Sequence, residues 1–95
     1  MKFHAFNYLS GIMITELEFQ KMPVPEQVTT VLGRGAELLD RIHVYYVIRL
    51  YKLENLFVEI WYHQTTNRID KVILVKLDDV IHLYESQINI SDLFR

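Results

Sequence analysis

The sequence predicts an α+β fold: a short N-terminal helix, an antiparallel meander of three or four strands, and a C-terminal helix. Three observations carry that expectation. Val24, Val28, Val31 and Leu32 fall at helical spacing, the period drops to two across residues 41–53, 56–63 and 69–77, and Leu77, Val80, Ile81, Tyr84 and Ile88 return to helical spacing.

The first helix begins after Pro23, because Pro25 suits an early helical position and Glu26 places a carboxylate beside the positive helix end. Thr29 and Thr30 weaken it, and Gly33 or Gly35 stops it. The strand segments are rich in Val, Ile, Tyr, Trp and Phe. Residues 36–40 either lengthen the first strand or form a separate edge strand. After the third segment, Asp78 or Asp79 is placed to cap a helix, and Ser91 to start a last turn ending in Leu93 and Phe94. Residues 1–20 give mixed signals: Phe3, Phe6, Leu9, Ile12 and Met13 read as a helical stripe, whereas Leu17 and Phe19 alternate with Glu16 and Glu18 as in a strand. A single domain over residues 1–95 is expected, with its α+β core at 23–94.

Strand register can be argued from the side chains. A three-residue loop Leu53-Glu54-Asn55, with Asn55 left-handed, sets Tyr51 against Phe57, Arg49 against Glu59, Val47 against Trp61 and Tyr45 against His63. A four-residue loop at 64–67 pairs Tyr62 with Ile69 and Val58 with Ile73. One sheet face then carries Val44, Tyr46, Ile48, Leu50, Leu56, Val58, Ile60, Tyr62, Ile69, Ile73 and Val75 as the core. The other carries Tyr45, Val47, Arg49, Tyr51, Phe57, Glu59, Trp61, His63, Asp70, Val72, Leu74 and Lys76, which is aromatic and aliphatic with a few charges and does not alternate as a face left in water does. Two short helices suffice for one face, so a covering layer for the second is expected from residues 1–19 or from a partner.

Composition excludes several functions. Half the residues (51%) are hydrophobic and the net charge is −2, with basic residues scattered singly or in pairs, so a nucleic-acid footprint is not expected. Without cysteine there is no thiolate catalysis, disulfide or Cys-ligated zinc. No apolar run approaches the ~20 residues that span a bilayer. Residues 1–14 lack a small-x-small cleavage site, so a cytoplasmic location is expected, and the sequon Asn89-Ile90-Ser91 carries no glycosylation meaning there.

Four constellations invite chemistry. Asp78, His82 and Ser86 recur at i, i+4 and i+8, but a ladder on one helix provides neither a strained elbow nor an oxyanion hole, so it reads as a solvated polar face. His43, His63 and Asp70 do not have zinc spacing and read as surface residues, as does the isolated His4. Gly33-Arg34-Gly35 comes after a helix and precedes a strand, opposite to a phosphate loop, and reads as a helix stop. The adjacent acids Glu16 with Glu18 and Asp78 with Asp79 serve capping and solubility. No catalytic residue, metal or cofactor is expected.

The stretch Leu50-Tyr51-Lys52-Leu53-Glu54-Asn55-Leu56-Phe57-Val58-Glu59-Ile60-Trp61-Tyr62, then Thr66-Asn67-Arg68-Ile69, Leu83-Tyr84 and Ile88-Asn89-Ile90-Ser91-Asp92-Leu93 resembles a group of small uncharacterised bacterial proteins. The shared pattern is a Leu-Tyr strand end, an aromatic-Val-Glu-hydrophobic-aromatic-Tyr strand, a Thr-Asn turn and a C-terminal Tyr-Leu…Ile-Asp-Leu-Ser segment. Here His63 stands after the strand's Tyr where an acidic residue is usual, and Leu83-Tyr84 reverses the Tyr-Leu order. The resemblance spans about residues 23–94; it implies the fold and no chemistry.

The expected function is a non-enzymatic protein-interaction module, homodimeric through the aromatic second face, with Tyr45, Val47, Arg49, Tyr51, Phe57, Glu59, Trp61 and Leu74 as the interface. The alternatives are a binder of a small apolar ligand and an inhibitor of another protein. Nucleic acid and membrane are not among the expected partners.

Overall fold

In the computed structural model the described residues are 13–87, with side chains described through Glu85. The expected stripe Phe3, Phe6, Leu9 and Ile12 and the last turn at Ser91 to Phe94 lie outside them, as does Ile88. Among the described residues two helices precede the sheet: α1 (Glu16–Lys21) and α2 (Val24–Arg34). The sheet has four antiparallel strands in sequential order, β1 (Ala36–His43), β2 (Tyr46–Leu53), β3 (Leu56–His63) and β4 (Arg68–Val75). The short helix α3 (Leu77–Val80) continues as a 3₁₀ helix, η1 (Ile81–Gln87). The class is α+β.

The mixed signals at Glu16 to Phe19 resolve as a helix because of its cap. Thr15 accepts a hydrogen bond from the Glu18 N–H through its hydroxyl, and the Glu18 carboxylate accepts the Thr15 N–H, forming a reciprocal capping box. The buried Gln27 amide donates to the Phe19 carbonyl at 2.9 Å, which ties α2 to α1. Helix α2 ends at Gly35, where a Cβ would lie 2.7 Å from the Val31 carbonyl oxygen and 3.2 Å from that of Lys52. A side chain at 35 would therefore push α2 away from the sheet. The predicted C-terminal helix is α-helical only over its first turn, and its N-cap is Lys76, not an aspartate.

The sheet departs from the predicted register in three places. A turn at Val44-Tyr45 cuts the segment 41–53, so that β1 is a separate edge strand and His43 lies opposite Tyr46. The β2–β3 turn has two residues, Glu54 and Asn55, with Leu53 opposite Leu56 and Tyr51 opposite Val58. Glu54, not Asn55, takes the positive φ of 56°. On β4 the predicted Tyr62–Ile69 pair is present, but a bulge at Asp70 shifts the remainder of the strand by one residue, so that Val58 meets Leu74 and not Ile73.

A one-residue shift moves every side chain of a strand across the sheet relative to its neighbour. The two predicted faces are therefore wrong in composition. One observed face carries Val47, Arg49, Tyr51, Leu53, Leu56, Val58, Ile60, Val72 and Leu74, and is packed by Ile14, Phe19, Met22 and Val31. The opposite face carries Ile48, Leu50, Phe57, Glu59, Trp61, Ile73 and Val75, and is crossed by η1 with Tyr84 buried beneath it. The helices thus cover opposite faces, in contrast to the two-helices-on-one-face arrangement the sequence suggested. The first face is the helix side of the sheet and the second its strap side.

Candidate functional site

The predicted interface residues do not share a face. Val47, Arg49, Tyr51 and Leu74 lie on the helix side, Phe57, Glu59 and Trp61 on the strap side, and Tyr45 in the β1–β2 turn. Tyr51 and Glu59 are buried. The predicted Arg49–Glu59 pair is replaced by two others: Arg49 Nε lies 3.8 Å from Glu37 on the helix side, and Arg41 lies 3.4 Å from Glu59 on the strap side.

On the helix side, α1 and α2 pack over the β2–β3 turn end of the sheet. Residue 14 is fixed there: the Ile14 N–H donates to Glu54 at 2.7 Å, and Arg34 pairs with the same carboxylate. The far end of that face is not covered by the described residues. Ile42, opposite Val47, is 72% exposed, while Leu32 on α2 is 57% and Ile69 on β4 is 37% exposed. A shallow groove of about 90 Å³ runs between Leu32, Arg49, Tyr51, Ile60, Tyr62 and Ile69. Beside it lie Glu37 and Asp40, the latter directly opposite Arg49. The nearby turn presents Val44 (69% exposed) and Tyr45 (60%), with Val44 at a φ of 56° that a β-branched residue adopts only under strain.

The strap side holds a polar network under η1. Glu59 accepts hydrogen bonds from Tyr84 Oη at 2.8 Å, from Trp61 Nε1 at 3.1 Å and from Arg41 at 3.4 Å. The Arg41 guanidinium lies with its carbon 5.5 Å and 5.3 Å from the ring centroids of Trp61 and Tyr84. Its Nε is buried and finds no hydrogen-bond partner among the described residues. Burial, together with the hydrogen bond to the Glu59 carboxylate, holds the Tyr84 phenol well above its ordinary pKa. Nothing in the sequence marked this network, because its members sit at 41, 59 and 84 and meet only once β1, β3 and η1 are assembled.

At the other end of the strap side, Tyr46 is flanked by His63 and Trp61, and Lys71 Nζ lies 4.0 Å from the Trp61 ring centroid. His43 packs edge-on against Trp61, and Asp70 accepts a hydrogen bond from Tyr46 Oη at 2.8 Å. That bond, with burial and the Asp70 charge adding to it, raises the Tyr46 pKa. His63 Nδ1 accepts from the backbone N–H groups of Thr65 and Thr66. His43 is engaged by Trp61, and His63 and Asp70 both by Tyr46, and no metal-holding group of three His, Asp or Glu residues occurs among the described residues. Asp78 and His82 are exposed, and the α-helical spacing that would align them with Ser86 gives way to 3₁₀ geometry at Ile81; the Ser86 side chain lies outside the described residues. Arg34 of the glycine-flanked stretch is taken up by Glu54.

Fold and surface define a small α+β protein with one sheet face half covered by the described residues. No family model, curated protein or solved structure matches the chain. Among the described residues, no helix is long and apolar enough to cross a membrane.

Proposed function

We propose that this chain is a non-enzymatic interaction module that pairs with a second copy of itself through the uncovered end of the helix side. The observation that carries the reading is the position of Ile42: a strand residue 72% exposed, one strand over from a groove that its own α2 leaves open. The groove, at about 90 Å³, falls below the ~300–1,000 Å³ of a typical small-molecule site, which favours a protruding side chain over a free ligand as its occupant.

A second copy fits for two reasons. In a two-fold arrangement, residue i of one copy meets residue j of the other and the reverse, so Ile42 of each copy fills the groove of its mate. The patch also carries both signs of charge, Glu37 and Asp40 beside Arg49, and is complementary to itself on rotation. Val47, Arg49 and Tyr51 are the residues of the sequence-based interface that remain in this reading.

Charge exchange tests it. Arg49→Glu alone and the double variant Glu37→Arg, Asp40→Arg alone are each expected to self-associate less than the parent chain, whereas an equimolar mixture forms a heterodimer by sedimentation. A mixture that associates no better than its components would overturn the proposal.

A further inference from the structure

Among the described residues of the strap, one side chain, that of Tyr84, is fully buried against the sheet; Leu77, Val80 and Ile81 are partly covered and Leu83 is exposed. Seven residues in 3₁₀ geometry form a long run for a helix type whose hydrogen bonds are poorly aligned and which rarely exceeds three or four residues. Lys76, with extended φ and ψ of −92° and 130°, joins the strap to β4. Elements with one anchor and little buried apolar area open locally far more readily than the sheet beneath them.

The surface beneath the strap is chemically specific. The Glu59 carboxylate, 2% exposed, faces the phenol oxygen, and the Arg41 guanidinium carbon lies 5.3 Å from the centroid of the phenol ring. Trp61 contacts both, donating to Glu59 and holding its ring centroid 5.5 Å from the Arg41 guanidinium carbon. An aromatic ring without a hydroxyl leaves Glu59 short of a donor, and a ring bearing a carboxylate meets like charge there. We propose that Arg41, Glu59 and Trp61 build a receptor slot for a phenol, filled by Tyr84 in the closed chain and open to another phenolic group when the strap lifts.

The test uses the full chain carrying Tyr84→Ala, with Trp61, the single tryptophan of the sequence, as the fluorescent reporter. Two phenolic probes separate a small-molecule source from a polypeptide source: 4-methylphenol, and a peptide of the strap sequence from Leu77 to Gln87. Toluene and benzoate are the controls. Saturable binding of 4-methylphenol at least about tenfold tighter than toluene or benzoate is expected, since the hydroxyl bonds a charged acceptor. Tighter binding of the peptide assigns the slot to a tyrosine of another polypeptide; binding of 4-methylphenol alone assigns it to small phenols. Should the variant not fold unaided, recovery of its native circular dichroism with 4-methylphenol, and not with toluene, supports the slot. Equal response to toluene and 4-methylphenol, or response to neither in binding and refolding alike, overturns the proposal.

Discussion

Leu53 lies directly opposite Leu56, closed by a turn whose first residue, Glu54, holds a φ of 56°. That pairing decides which side chains share each face of the sheet. Asn tolerates the left-handed region better than Glu, so local preference alone favours Asn55 there. The turn is set by tertiary contacts: Glu54 receives the Ile14 N–H and the Arg34 guanidinium, which hold its side chain beneath the helices. Replacing Glu54 by Ala keeps the backbone strain and removes both partners. A loss of about 1–3 kcal/mol in urea unfolding is expected, larger than for Asn55→Ala.

The two glycines near the end of α2 should respond with opposite sign. Gly33 has open space around a built Cβ, and Ala is favoured over Gly in a helix by about 1 kcal/mol, so Gly33→Ala is expected to raise the unfolding midpoint. Gly35→Ala drives a Cβ against two backbone oxygens and should cost about 1–3 kcal/mol. Thermal melts of the two variants side by side check this.

Much of the architecture was legible because it depends on periodicity. The bounds of α2, the alternation of the strands and the Tyr62–Ile69 pair follow from the spacing of apolar residues and from turn-forming side chains. The composition of each face was not legible, since it turns on single residues: the turn at Val44-Tyr45, the Glu54 conformation and the bulge at Asp70. A valine at positive φ runs against its own preference, so position 44 carries no turn signal. Likewise Arg49 and Glu59 look like natural partners in sequence, and the shift by one sends each to a different face and a different partner.

Type II′ hairpin turns place Gly at the first central position, where Val44 stands. Val44→Gly should therefore stabilise the monomer by about 0.5–1 kcal/mol, the relief of strain exceeding the entropy of the added glycine. Denaturant unfolding at a fixed low protein concentration measures it.

Alkaline pH should destabilise the closed strap. Because the folded Tyr84 pKa is raised above the unfolded value of 10.0, the folded chain retains a proton that the unfolded chain loses, and stability falls as pH rises beyond 10. Tyr51 adds to the same slope, its pKa raised by burial and by the nearby Glu37 charge. Tyr84→Phe removes the Tyr84 contribution, so its unfolding midpoint should decline less steeply between neutral and alkaline pH than that of the parent. Parallel slopes would show that Tyr84 does not retain its proton on folding.

A second copy covering the open end of the helix side is the central claim, and sedimentation equilibrium of the parent chain beside Ile42→Lys tests it most directly. Placing a lysine in the buried groove of the mate costs enough to weaken association by at least about tenfold. A concentration-dependent dimer is expected for the parent at micromolar protein, and a folded monomer for Ile42→Lys. A parent chain that stays monomeric, or an Ile42→Lys chain that dimerises as tightly as the parent, would contradict it.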